Sequence, residues 1–141
     1  MTRTDESTGV SGEVTAYASA RYADPDAALE WLAEALGFET QEMVRDDAGA
    51  VAHAEVRLGE AIVMLSTAGA GREPFRSLPA GTGIVYIAVE DPDALHERAV
   101  AAGAEIALGL TDTDYGSRDF TVRDPEGNLW SFGTYRPRVA G

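Results

Sequence analysis

Asp24-Pro25-Asp26-Ala27 is followed by an alanine- and leucine-rich run ending at Gly37, and the tetrapeptide returns as Asp91-Pro92-Asp93-Ala94, whose own run ends at Gly103. The tetrapeptides lie 67 residues apart (91 − 24) and the glycines 66 (103 − 37). A third landmark, Arg57-Leu58-Gly59-Glu60-Ala61-Ile62-Val63-Met64-Leu65, corresponds at the shift of 66 to Arg123-Asp124-Pro125-Glu126-Gly127-Asn128-Leu129-Trp130-Ser131. Three landmarks in register indicate a duplicated module. In each copy the aspartate is placed to cap a helix, the proline to fill its first turn, and the glycine to stop it in a left-handed conformation. Function is expected where the two copies meet.

Outward from these landmarks, residues 14–22 read as a first strand. Leu29, Leu32, Ala33 and Leu36 follow at i, i+3, i+4 and i+7, with Glu30 and Glu34 turned away, which predicts a helix with one buried face. Strands over 38–45, 51–58 and 61–66, reversing at 46–49 and 59–60, complete a βαβββ unit. The segment 67–81, rich in Gly, Pro and Ala, joins the halves and carries Phe75, which is placed to fold over a pocket. The second copy repeats the pattern, with strands over 82–90, 105–110, 118–123 and 128–135 and a tight reversal at Asp124-Pro125-Glu126-Gly127-Asn128. The fold class is α+β: one domain over 13–137, made of module one (13–66), a linker (67–81) and module two (82–137). Residues 1–12 read as a frayed, disordered tail.

A chain of 141 residues with 45% hydrophobic content carries one ordinary core, and neither half would be stable alone. With no cysteine there is no disulfide, thiolate metal site or cysteine nucleophile. The first twelve residues are polar and of mixed charge, neither a signal peptide nor a membrane span, so a cytoplasmic protein without a membrane partner is expected. The net charge of −13 argues against nucleic acid and admits a cationic ligand. The absence of lysine among many Ala, Asp, Glu and Arg equally fits a compositional bias that serves solubility.

Alternation along the strands sorts side chains onto faces. Ala52, Ala54, Val56 and Leu58 should pack beneath the helix, with His53, Glu55 and Arg57 opposite. In the second copy Phe120 and Val122 should face the core, and Asp119, Thr121 and Arg123 the other side. The duplication thus lays two polar rows on a concave surface, available either to a ligand or to mutual salt bridges, with Arg57 or Arg123 as partners for Glu55. His96, among Asp93, Glu97 and Arg98, reads as a solvated helix residue, while Trp31, Trp130 and Phe132 read as core.

Paired βαβββ modules, Tyr115-Gly116-Ser117-Arg118-Asp119-Phe120, and above all Asp124-Pro125-Glu126-Gly127-Asn128-Leu129-Trp130 resemble the vicinal oxygen chelate superfamily, the glyoxalase/bleomycin resistance/dioxygenase group. His53-Ala54-Glu55 followed by Gly59 and Met64-Leu65 is similar to its PhnB-like branch. The resemblance covers about residues 14–137 and implies curved mixed sheets forming an incomplete barrel. It also implies metal ligands on the first and last strand of each module. In module two those positions are Ile84 and Ser131; through the repeat, module one supplies Tyr17 (84 − 67) and Leu65 (131 − 66). A hard divalent ion needs several oxygen or imidazole donors at about 2.0–2.6 Å, and this set does not provide them. A metal-free, cofactor-free member is expected.

Metal-free members resemble bleomycin resistance proteins, which bind an antibiotic in pockets at a homodimer interface. The ligand residues so implied on the concave face are Tyr17, Ser19, His53, Glu55, Tyr86, Leu129, Ser131 and Tyr135, with aromatic faces suited to flat or cationic ligands. The expected function is sequestration of an antibiotic or other cationic or aromatic metabolite, in drug resistance or self-resistance. The alternative is a metal-independent isomerase, epimerase or cyclase in which Glu55 orients His53 as general base. A regulatory binding module is a third reading that the residues do not separate from the first.

Overall fold

The computed structural model describes residues 12–140, so the frayed tail expected over 1–12 falls, apart from Gly12, outside the described residues. In module one, β1 (Ala18–Tyr22) leads into α1 (Pro25–Trp31), a π-helical turn (Leu32–Leu36), β2 (Glu39–Arg45), β3 (Val51–Leu58) and β4 (Ala61–Thr67). A single 3-10 turn, Phe75–Ser77, lies in the linker. Module two runs through β5 (Ile84–Ala88), α2 (Pro92–Ala101), β6 (Glu105–Asp112), β7 (Arg118–Arg123) and β8 (Leu129–Gly133). Each module forms its own mixed four-stranded sheet, ordered β1-β4-β3-β2 and β5-β8-β7-β6, in which the first strand runs parallel to the last and the other pairs are antiparallel.

The duplicated tetrapeptide acts in the same way twice. Asp24 accepts from the Ala27 amide at 3.1 Å and Asp91 from the Ala94 amide at 3.0 Å, satisfying a helix-end donor in each copy, and each proline follows in the first turn. Gly37 and Gly103 end the helices at φ +83° and +81°. The first helix does not keep the expected 3.6-residue stripe. Its widening into a π turn exposes Ala33 and buries Ala35 alongside Leu29, Leu32 and Leu36. The guanidinium of Arg98 on α2 donates to the Ala33 carbonyl at 3.1 Å, drawing the two helices together.

One core serves both sheets. Val56, Val63 and Leu65 of module one and Phe120, Val122, Trp130 and Phe132 of module two belong to the same buried cluster, with Phe38 edge-on to Trp130 at 5.4 Å. Burying side chains of this size contributes roughly 1.5–3 kcal/mol apiece. Trp130 and Phe132 are thus core as expected, whereas Trp31 is half-buried at its margin. His96 departs from the solvated reading: its ring stands edge-on to Phe120 at 5.1 Å and is half-buried.

The modules are fastened at one corner. Asp124, buried in the β7–β8 turn, accepts from the Tyr22 hydroxyl at 2.6 Å, the Trp130 indole at 3.1 Å, the Asn128 side-chain amide at 3.2 Å, and the backbone amides of Glu126 and Asn128 at 3.0 Å each. Five donors offset the cost of desolvating the carboxylate. The neighbouring Glu126 carboxylate reaches across to the amides of Ala23 and Asp24, at 2.7 and 2.8 Å, at the entry to α1.

Candidate functional site

Strand pairing fixes which side chains share the solvent-facing sides. In module one, Ser19, Met64, Glu55 and Glu42 stand in one row across all four strands; in module two, Tyr86, Ser131, Thr121 and Leu108 form the corresponding row. The expected partner of Ser131 was Leu65, and the rows correct it to Met64. The reversal between Leu58 and Ala61 uses two residues and that between Asp124 and Asn128 uses three, so the repeat shift grows from 66 to 67 on the last strand. Leu65 instead belongs to the core. Ala52 is a second correction. A bulge between Val44 and Arg45 makes Ala52 the extra residue, leaving it exposed while Val51 takes the inward place.

The polar centre of module one is a relay of three side chains. His53 Nε2 lies 2.8 Å from Glu55 Oε2, and the Gln41 amide donates to Glu55 Oε1 at 2.9 Å. The His53 and Gln41 contacts, in that order, hold the Glu55 carboxyl below its ordinary value. Gln41 was not anticipated. It is the extra residue of a bulge between Thr40 and Glu42, which simple alternation does not reveal. Neither expected arginine partners Glu55: Arg57 bonds Glu39 at 2.9 Å and Arg123 bonds Glu105 at 3.0 Å. Both imidazole and carboxylate remain open to a ligand, with side-chain exposures of 39% and 29%.

Module two is aromatic where module one is ionic. The Tyr86 hydroxyl donates to the Tyr135 carbonyl at 2.7 Å, and the Tyr135 ring meets Tyr115 edge-on at 5.8 Å. Burial, foremost, raises the Tyr86 hydroxyl above its ordinary value. Ser131 shares a 2.7 Å hydrogen bond with Thr121, so its hydroxyl is already engaged. Leu129 lies in register with Ile84 and Arg123 on the same side. Tyr135 lies beyond β8, which ends at Gly133 rather than at the expected residue 135, just as Tyr17 precedes β1, which starts at Ala18 rather than 14.

Tyr17 and Tyr86 line one cavity that also takes in residues of the edge strands β1 and β5. It measures about 840 Å³, and Ile62, Ala88, Glu60 and Glu90 are among its other lining residues. Its size suits a drug-sized molecule. His53, Glu55, Ser19, Leu129, Ser131, Tyr135 and the exposed linker residue Phe75 are outside its lining. Cavity and relay thus lie apart on the protein: one offers apolar area, the other chemistry.

The positions at which the resemblance implies a metal carry Tyr17, Met64, Ile84 and Ser131. Among the described residues no three His, Cys, Asp or Glu side chains converge to hold an ion. A phenol, a thioether, a branched alkyl chain and an engaged hydroxyl do not fit a divalent cation. Nor, among the described residues, is any helix long and apolar enough to cross a membrane.

Residues 15–132 match the family described as the Glyoxalase/Bleomycin resistance protein/Dioxygenase superfamily. The crystal structure of TioX from Micromonospora sp. ML1 is similar at 32% identity and a TM-score of 0.72, covering 84% of this chain and 98% of that one. TnmS3, described as an antibiotic binding protein from Streptomyces sp. CB03234, shares the fold at 20% identity and a TM-score of 0.67, covering 86% and 97%. The uncharacterized protein Rv0887c of Mycobacterium tuberculosis (strain ATCC 25618 / H37Rv) is 33% identical over 90 residues, 60% of this chain and 53% of its own length. The match thus spans little more than half of that relative.

Proposed function

Because the chain belongs to the glyoxalase/bleomycin resistance protein/dioxygenase superfamily, which contains both enzymes and binding proteins, we propose that it is a metal-independent binding protein that sequesters an aromatic or cationic small molecule of the antibiotic kind. The observation that carries this reading is the replacement of a metal-binding quartet by Tyr17, Met64, Ile84 and Ser131, beside an open face that keeps aromatic area and one polar relay. An aromatic portion of the ligand would lie in the cavity against Tyr17 and Tyr86, and a polar portion extending beyond the cavity lining would reach His53 and Glu55. The likeness to TnmS3 supports the ligand class. A second copy would close the cavity as a homodimer, acting in the cytoplasm in resistance or self-resistance.

The Gln41–Glu55–His53 relay favours one second reading, a metal-independent tailoring enzyme with His53 as general base. Incubation with cationic and aromatic peptide antibiotics, followed by affinity measurement and mass spectrometry, separates the two. Sequestration requires a tightly bound compound recovered unchanged. Turnover that His53→Ala abolishes, with binding retained, would replace it by the enzyme.

A further inference from the structure

The relay assigns a polarity to the ligand-facing nitrogen of His53. Nε2 sits 2.8 Å from a carboxylate oxygen, so in the neutral ring it must carry the proton; an unprotonated Nε2 would set its lone pair against Oε2. Glu55 is itself steadied through its other oxygen by Gln41. The remaining nitrogen, Nδ1, has no protein partner among the described residues, and it is not among the buried, unsatisfied atoms, so it is open to solvent. Charged side chains stand nearby in the sheet. Glu42 stands directly opposite Glu55 on β2, while the Arg57 guanidinium is occupied by Glu39. On the same side of the sheet, Arg21 donates to the Ser66 hydroxyl at 2.9 Å and to the Ala70 carbonyl at 2.8 Å, so that guanidinium is engaged as well.

We infer that Glu55 and Gln41 lock neutral His53 as the Nε2–H tautomer, and that Nδ1 receives a hydrogen bond from a donor on the ligand, a phenolic O–H or an N–H, in preference to a carbonyl or carboxylate. Glu55 and Gln41 are positioning residues here, and His53 is the residue that touches the ligand. This rests on the binding reading above but goes further, because it selects among aromatic ligands by the polarity of one substituent.

The test uses the full chain and two probes of one shape, 2-naphthol and 2-methoxynaphthalene, which differ in the O–H donor. Fluorescence titration should show naphthol bound roughly tenfold more tightly, the effect of one partly desolvated hydrogen bond. The preference should vanish in His53→Ala and shrink in Gln41→Met. Nitrogen-15 spectra of labelled histidine, assigned with His53→Gln, should place the proton on Nε2. Glu55→Gln, whose amide either accepts from Nε2 or donates to it, should populate both tautomers and blunt the preference. An Nδ1–H tautomer in the unmodified protein, equal affinity for the probes, or a preference that survives His53→Ala would overturn the inference. Equal affinity would leave the binding reading standing, whereas chemical conversion of the natural ligand would remove that reading and leave the tautomer result intact. Failure of both probes to bind at millimolar concentration would overturn the ligand half of the inference even with the tautomer confirmed.

Discussion

The hydroxyl of Tyr22 donates to Asp124 at 2.6 Å, tying the first strand of one module to the last turn of the other. Tyr22→Phe should cost about 1–3 kcal/mol in urea unfolding, because a buried carboxylate loses one of its donors. Asp124→Ala should cost more, since it strands the tyrosine, indole and amide donors together. Burial and the adjacent carboxylate hold the Tyr22 hydroxyl far above its ordinary value of 10.0 in the folded protein. The unfolded chain ionises near that ordinary value, so the contribution is whole below it and is lost as pH rises beyond it. Stability should therefore fall on the alkaline side in the unmodified protein, and Tyr22→Phe should flatten that limb.

Elemental analysis of the purified protein should find no stoichiometric nickel, zinc, manganese or iron. The side chains at 17, 64, 84 and 131 provide no convergent donor set. About one tightly held transition metal per chain would contradict the assignment of these positions.

Sedimentation should report a homodimer at micromolar concentration. Among the described residues, the Tyr17, Val44, Ile84, Tyr86 and Leu108 side chains are exposed large apolar groups available to a second copy. A monomer both with and without ligand would count against this assembly.

Ligand affinity should drop by about 1–3 kcal/mol in His53→Ala, where binding desolvates the ring. Glu55→Ala should weaken a cationic ligand more than a neutral one, and high salt should shrink that difference, because the carboxylate is partly exposed. Calorimetry across a salt series reads both effects. The carboxyl of Glu55 is held below its ordinary 4.5 by His53 and Gln41, so its charge persists down to that range and is lost only as pH falls through the lowered value.

The fold was legible because its signals are local and repeated: cap, proline and terminal glycine each act within one turn of helix, and all of them occur twice. The strand faces were legible wherever the two-residue period runs unbroken, as at Phe120 and Val122. They failed at bulges. The extra residue at Ala52 inverted one inward assignment, and the one at Gln41 hid the residue that steadies Glu55. The one-residue difference between the two β-turns displaced Met64 by one position in the repeat, enough to exchange a face residue for the buried Leu65. His96 eluded the reading because its neighbours in sequence are charged while its neighbour in space is Phe120. Which residues meet across the modules depends on tertiary packing that neither copy encodes alone.

The tie between Tyr22 and Asp124 has no counterpart under the repeat. Under the repeat, Asp124 corresponds to Leu58 and Tyr22 to Val89, and both of these line the 840 Å³ cavity. The duplicated halves are therefore bolted along one side and unlatched along the other. The corner that the Tyr22–Asp124 hydrogen bond closes on one side is thus, on the other, the wall of a cavity.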